Sequence, residues 1–291
     1  MTDARTAGRR PLATGQFIDG SDGPIFVLLH KPIGAREGVL VVPPFAEEMN
    51  KCRRMVTEMA HGLVEHGVAV VVPDLFGTGD SAGDFSDASW RSWQVDLEKV
   101  RVWCEARGIR LTGLLGIRLG AALAASAVAT GRLSGVDRTV LWQPLFNGAR
   151  FMAQFLRLRV AASLTGQGPR ESVDDLRSRL VGGEPIEVAG YQLSGELMAE
   201  LEALEHPGRL SEQFGTTHWI EIQRDTSSPV PIPTAQLVES TRRAGGVVEL
   251  QVFKGEPFWT AVEIVINEAV LEATTNCFRG LAPTGDFAGC T

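Results

Sequence analysis

Long hydrophobic runs are missing from this chain of 291 residues. Its longest apolar stretches, around Gly38–Val42, Val68–Val72 and Ala121–Ala129, fall well short of the roughly 20 residues that cross a bilayer, so no transmembrane segment is expected. No apolar segment follows the arginines of the opening MTDARTAGRRPLATG, and no secretory signal is read there. Cysteine is scarce. Cys52, Cys104, Cys277 and Cys290 stand far apart, with neither metal-ligand spacing nor the density of a disulfide framework. Basic charge is also short: 28 Lys and Arg face 35 Asp and Glu, a net charge of −7. That balance excludes the net basic face that sequence-independent nucleic-acid binding needs. The expectation is a cytoplasmic protein without metal, cofactor or nucleic-acid partner.

What is present reads as an ordinary globular chain, with 44% hydrophobic and 22% charged residues and enough length for a large core. After a polar lead (1–16), Phe17–Gly34 reads as a hairpin about Ser21-Asp22-Gly23. Short apolar strands then alternate with amphipathic helices. Strands are expected at Gly38–Val42, Val68–Val72, Leu111–Leu115 and Arg138–Trp142; helices at Asn50–Glu65, Trp90–Arg107 and Ala121–Thr130. Continuous apolar strands between helices imply a mostly parallel sheet covered on both faces. The alternation breaks at Gln143 and resumes with strand Trp219–Gln223, helix Pro233–Ala244, strand Val247–Phe253 and a last helix Phe258–Glu272. The interruption reads as a helical insertion, with Tyr191–Glu205 one of its helices and Gly166–Pro169 and Gly182–Pro185 its loops. The expected organisation is a core in two parts (17–142 and 216–278), a cap insertion (143–215) and a C-terminal tail (279–291).

Leu111–Ala122 is a strand, a tight turn and a small-residue helix. Gly116 and Gly120 lie two before and two after the turn's apex, the spacing of a nucleophile elbow. Pro73–Phe85, PDLFGTGDSAGDF, resembles the Asp-x-x-Gly-x-Gly-x-Ser loop of α/β-hydrolases at Asp74, Gly77, Gly79 and Ser81. In that loop the Asp and Ser order the turn. The elbow, this loop and the insertion together point to the α/β-hydrolase fold.

A closer resemblance rests on four segments: VVPPFAEEMNKCRRM (Val41–Met55), LGIRLGAA (Leu115–Ala122), GYQLSGELMAEL (Gly190–Leu201) and GEPFW (Gly255–Trp259). Jointly they resemble the exosortase A system-associated hydrolases of the second type, over nearly the whole chain. The resemblance implies a bacterial protein of a system coupled to exopolysaccharide, and a hydrolase in name, since fold alone does not establish chemistry.

The residues themselves lack the usual triad. Arg118 occupies the apex where a nucleophile belongs, and a guanidinium cannot form an acyl-enzyme. None of the histidines (His30, His61, His66, His206 and His218) follows the last strand, where Lys254-Gly255-Glu256-Pro257-Phe258-Trp259 stands instead. Asp225, after Trp219–Gln223, is the one candidate acid and is placed at the pocket; the fold's Asp-x-x-Val-Pro pattern, however, puts Ser227 or Ser228 there. The backbone N–H groups of Phe45 and Leu119 stand where the fold forms an oxyanion hole, and Arg118 would add a cation. Arg118 faces Glu47 or Glu48, a ligand anion, or solvent, and the ligand expected at the pocket and lid is small and anionic or acyl. Phe258 and Trp259 either wall the pocket or plug it. Cys52 and Trp90, Trp93 and Trp103 read as packing residues. Three functions stay open: hydrolysis in which Glu47 or Glu48 activates water, catalytically silent ligand binding, and partner docking through the insertion helix around Met152–Arg159.

Overall fold

The computed structural model describes residues 13–165 and 170–281. Most of the polar lead (1–12), Gly166–Pro169 and residues 282–291, with Cys290, lie outside the described residues. In chain order the strands are β1 (Ala13–Asp19), β2 (Pro24–His30), β3 (Glu37–Val42), β4 (Ala69–Pro73) and β5 (Arg110–Ile117). They continue as β6 (Arg138–Trp142), β7 (Ile186–Val188), β8 (Tyr191–Leu193), β9 (Thr216–Gln223) and β10 (Val248–Lys254). The helices are α1 (Glu47–Glu65), α2 (Trp90–Glu105), α3 (Gly120–Ala129) and α4 (Gly148–Thr165), then α5 (Val173–Val181), α6 (Gly195–Glu202), α7 (Ile232–Arg243) and α8 (Glu268–Phe278).

Eight strands form one sheet in the order β1-β2-β4-β3-β5-β6-β9-β10. β1–β2 and β2–β4 pair antiparallel, and every other pair in it is parallel. Strand periodicity divides the core in two. Val39, Val41, Leu115, Ile117, Val140, Trp142 and Ile220 pack with Met55, Met59 and Leu63 of α1 and Phe278 of α8. Their neighbours Leu40, Val42, Leu114, Leu141 and Trp219 face the other way, toward Leu97 of α2, Leu123 of α3 and Leu237 of α7. Both faces are therefore apolar, as a sheet covered on two sides requires.

Between β6 and β9 lie α4, α5, the β7–β8 hairpin and α6. The insertion is tied to the core by Asn50 Nδ2 donating to Tyr191 Oη at 3.0 Å and by the Trp90 N–H donating to Glu200 Oε2 at 2.7 Å. Phe151 and Phe155 of α4 meet the Phe45 ring edge to face at 5.3 and 5.1 Å. Within the insertion, Glu171 accepts from Arg159 Nε and Arg179 Nη1, each at 2.7 Å.

Three expectations are corrected. β1 begins at Ala13, inside the stretch read as polar lead, because backbone pairing with β2 (Ala13 opposite His30) needs no apolar side chains on an exposed edge. Tyr191–Glu205 is not one helix: β7 and β8 turn through Ala189 and Gly190, both at positive φ (51° and 86°), before Ser194 caps α6 by accepting from Leu197 N. The last helix starts ten residues late, at Glu268, where Asn267 Oδ1 accepts from Val270 N at 3.2 Å; the segment after Pro257 is turn and irregular chain.

The tightest joint of the insertion lies between α4 and α6, where a Cβ on Gly148 would run into the carbonyl oxygen of Leu201. Gly148→Ala is expected to cost about 1–3 kcal/mol by overpacking. Hydrogen exchange should show lost protection in α4 and α6 with β3 and β5 unchanged; equal loss in the sheet would show that the insertion does not open separately.

Candidate functional site

β5 runs straight into α3 through a turn tight enough to exclude side chains beside it. A Cβ on Gly116 would lie 2.8 Å from Ala121 Cα, and one on Gly120 would strike the carbonyl oxygens of Val42 and Pro43. The apex, Arg118, has φ 54°, a left-handed conformation that a long side chain rarely adopts. Its N–H donates to Trp142 O at 3.0 Å and its carbonyl accepts from Leu145 N at 3.0 Å, so neighbouring strand ends hold the strained residue in place. Ala46 (φ 51°) after β3 and Gln143 (φ 42°) after β6 are strained alike. Three adjacent strands thus end in left-handed non-glycine residues at one crevice, each costing on the order of 1–3 kcal/mol.

The structure chooses between the two glutamates. Arg118 Nε donates to both oxygens of Glu48 (3.2 and 3.3 Å), and Nη2 donates to Oε1 at 3.2 Å. Nη1 donates to Gln143 O at 3.3 Å, and the guanidinium stacks over the Trp259 ring at 4.7 Å. Both partners are buried, at 9% and 6% exposure. Burial pushes the Glu48 carboxyl above its ordinary range, and the Arg118 charge pulls against that shift without cancelling it. Glu47 does not bond to Arg118. It is half-buried, its Oε2 has no hydrogen-bond partner, and burial pushes its carboxyl up.

Other predicted residues separate clearly. Phe258 meets Trp142 edge to face at 5.7 Å and Trp259 at 5.2 Å, and both are buried. They fill the space beneath Arg118 rather than opening it. Asp225 is not a pocket residue, which corrects its assignment: it is exposed, accepts from Ser227 N and Oγ at 3.0 and 2.8 Å, and is held below its ordinary range by those bonds. Ser81 Oγ donates to Asp74 O and accepts from Phe26 N, which makes it a turn-ordering group. Cys52 is buried and its thiol pushed up by burial, so no reactive thiolate sits on α1.

Two residues escaped sequence reasoning. Glu221, buried in β9, accepts from Trp219 Nε1 (2.8 Å), Thr234 Oγ1 (3.0 Å) and Gln143 Nε2 (2.7 Å). Gln143 also accepts from Ile222 N at 2.6 Å, which clamps its strained backbone to β9. The signal was available: Glu221 is a carboxylate between Ile220 and Ile222 in an otherwise apolar strand.

Two cavities flank the elbow. One, of about 20 Å³ and open to solvent, is lined by Phe45, Met49, Leu75, Phe85, Trp90, Trp93, Leu119 and Leu123 among others and is apolar. The N–H groups of Phe45 and Leu119 donate to no group among the described residues, so two amides belonging to that cavity's wall are free. The other, of about 290 Å³, lies along Arg118, Gln143, α4 and Glu221. No described helix is long and apolar enough to cross a membrane.

The strand order, with its antiparallel first pairs and the helical insertion after β6, now meets the comparison with solved structures. The fold is that of the α/β-hydrolases. Est1E from Butyrivibrio proteoclasticus, determined with ferulic acid bound, superposes with a TM-score of 0.63 at 16% identity, over 90% of this chain and 96% of that one. The Pyrococcus furiosus esterase Pf2001 gives 0.58 at 16% identity, over 92% and 90%. XC6422 from Xanthomonas campestris, described as an α/β serine hydrolase without a lid, gives 0.56 at 16%, over 94% and 97%. No protein-family model matches the chain, and no curated protein matches it. At these identities the likeness is one of fold.

The Arg118–Glu48 pair sets a stability test. Arg118→Met leaves a buried carboxylate without its cation and is expected to cost about 3–5 kcal/mol, whereas Arg118→Met with Glu48→Leu recovers much of that loss. A denaturant double-mutant cycle reads the coupling, with Glu47→Gln as a control that should couple weakly. Equal coupling to both glutamates, or no loss in Arg118→Met, would overturn the pairing.

Proposed function

We propose that this chain binds a carboxylate or ester ligand without forming a covalent acyl-enzyme. The ligand oxygen rests on the Phe45 and Leu119 amides and its apolar part in the cavity beside them. The observation that carries this reading is the ion-paired Arg118 at the nucleophile position, with the two amides of an oxyanion hole left unpartnered. An anchored guanidinium has no electron pair to give, and Glu48 is committed to it. What remains of the hydrolase site is its electrostatic half: two N–H donors at a helix start, beside apolar walls. The four sequence segments that resemble exosortase A system-associated hydrolases of the second type support a binding role in the exosortase-linked exopolysaccharide system. The buried, unpaired thiols of Cys52, Cys104 and Cys277 fit a cytoplasmic setting.

A hydrolytic reading is favoured by one observation, the unpartnered Glu47 Oε2 and its raised carboxyl. In that reading Glu47 takes a proton from water as the oxygen attacks the ester carbonyl. The oxyanion forms against the two amides, and its collapse expels the alkoxide, which recovers the proton from Glu47.

The test uses octanoate as ligand, p-nitrophenyl octanoate as substrate and a fluorophosphonate probe. Octanoate should bind saturably by calorimetry and lose at least tenfold in affinity in Leu123→Trp, which fills the apolar cavity; no serine should react with the probe. Binding that ignores Leu123→Trp, or stoichiometric labelling of any serine, would overturn the proposal. Ester turnover abolished by Glu47→Gln with octanoate binding intact would establish the hydrolytic reading.

A further inference from the structure

The larger cavity beside the elbow is chemically unlike the apolar one. We propose that it is a second ligand site, for a small hydroxylated anion bearing a carboxylate or a phosphate. It is separated from the first by an aromatic contact: Phe45 lines the apolar cavity, Phe151 lines this one, and their rings meet edge to face at 5.3 Å.

Its polar wall is Arg118, Gln143, Asn147, Arg150, Gln154 and His206, around a space of about 290 Å³. Arg118 is neutralised by Glu48, so the cation there that is free to meet a ligand anion is Arg150. A guanidinium carries five N–H donors. Glu48 and Gln143 O engage three of those of Arg118, through Nε, Nη2 and Nη1, leaving two for a ligand. Arg150 makes no ion pair among the described residues, and the polar contact of its own is the backbone N–H it donates to Asn147 Oδ1 at 2.8 Å. His206 touches the Phe146 ring and likewise has no carboxylate partner among the described residues. The one carboxylate in the wall, Glu221, accepts from the neutral donors Trp219, Thr234 and Gln143, which tie its oxygens to β9 and α7 while its charge stays uncancelled at the inner end, so the ligand's anionic group belongs at the Arg150 end. The first turn of α4, entered at Asn147 and carrying Arg150, adds the positive end of an 18-residue helix.

The same wall selects for hydroxyl groups. The Asn147 and Gln154 side-chain amides offer donors and acceptors at the rim, and three donors to Glu221 leave part of its acceptor capacity for an O–H. An anion with no hydroxyl groups leaves these amides unused, and a neutral polyol leaves Arg150 unpaired. The strained backbone at Arg118 and Gln143 (φ 54° and 42°) fixes the inner end of the site, because Gln143 is clamped to β9 through both ends of its amide.

Calorimetry on the full chain tests this with glucuronate, glucose 6-phosphate, glucose and inorganic phosphate. At least one of the two sugar acids should bind saturably and at least tenfold more tightly than both glucose and inorganic phosphate. Binding of glucuronate alone assigns the anion as carboxylate, and binding of glucose 6-phosphate alone assigns it as phosphate. Arg150→Ala, an exposed residue with no ion pair to lose, should keep the parent melting temperature and weaken that binding at least tenfold; Arg150→Lys should recover part of it. Leu123→Trp should leave it unchanged, which keeps this site's outcome distinct from that of the octanoate site. Absence of saturable binding by either sugar acid, glucose or inorganic phosphate binding as tightly as the sugar acids, or affinity indifferent to Arg150→Ala would overturn the proposal.

Discussion

A guanidinium and a carboxylate, both withdrawn from water at the ends of β5 and α1, hold the centre of this protein in one arrangement. Either charge alone at that depth costs several kcal/mol, so each makes the other tolerable. The pair is braced on both sides: the Gln143 carbonyl accepts from the far end of Arg118, and the Trp259 ring lies under its face, a stacking worth roughly 0.5–2 kcal/mol. Because Glu48 opens α1 and Arg118 opens the turn into α3, the bond also sets the spacing of two helices across the sheet's switch region. Phe258 and Trp259 occupy the place of a base-bearing loop, and with them filled in, the pair is packed as a structural element instead of being exposed as a reactive one.

Strain accumulates around this pair. Ala46, Arg118 and Gln143 each spend backbone energy at the carboxyl end of a strand, and each is held by hydrogen bonds to a neighbouring element. The strained turn carries an arginine at its apex, and its geometry does not depend on that side chain. That geometry still orients the Leu119 and Phe45 amides, because those depend on the turn and not on what the apex side chain is. The backbone donors of the turn and the side chain at its apex are therefore set independently.

Much of this was legible from residue order. Glycine spacing around Arg118 located the elbow, since only a very close approach of strand and helix demands Gly at both places. The cost of a lone buried charge calls for an anion beside Arg118; whether it is a ligand or a glutamate, and which glutamate, could not be read, because neighbouring residues on a first helical turn diverge by about 100° and only the packed helix decides. Asp225 failed because spacing after a strand does not say whether a loop turns inward. The β7–β8 hairpin failed because three-residue strands have too short a period to oppose a following helical pattern at Leu193, Leu197 and Leu201. Gln143 belongs to no sequence motif, although its side chain joins the end of β6 to β9.

The seam between insertion and core has a further property. The chain contains a single tyrosine, Tyr191, and it stands on that seam, its hydroxyl accepting from Asn50 and its ring 5.0 Å from Phe85. Partial burial disfavours its phenolate and pushes its ionisation to higher pH than that of a free phenol. Every phenolate absorbance signal from this protein therefore originates at one hinge point, and the native chain carries its own optical gauge of how firmly the insertion is seated.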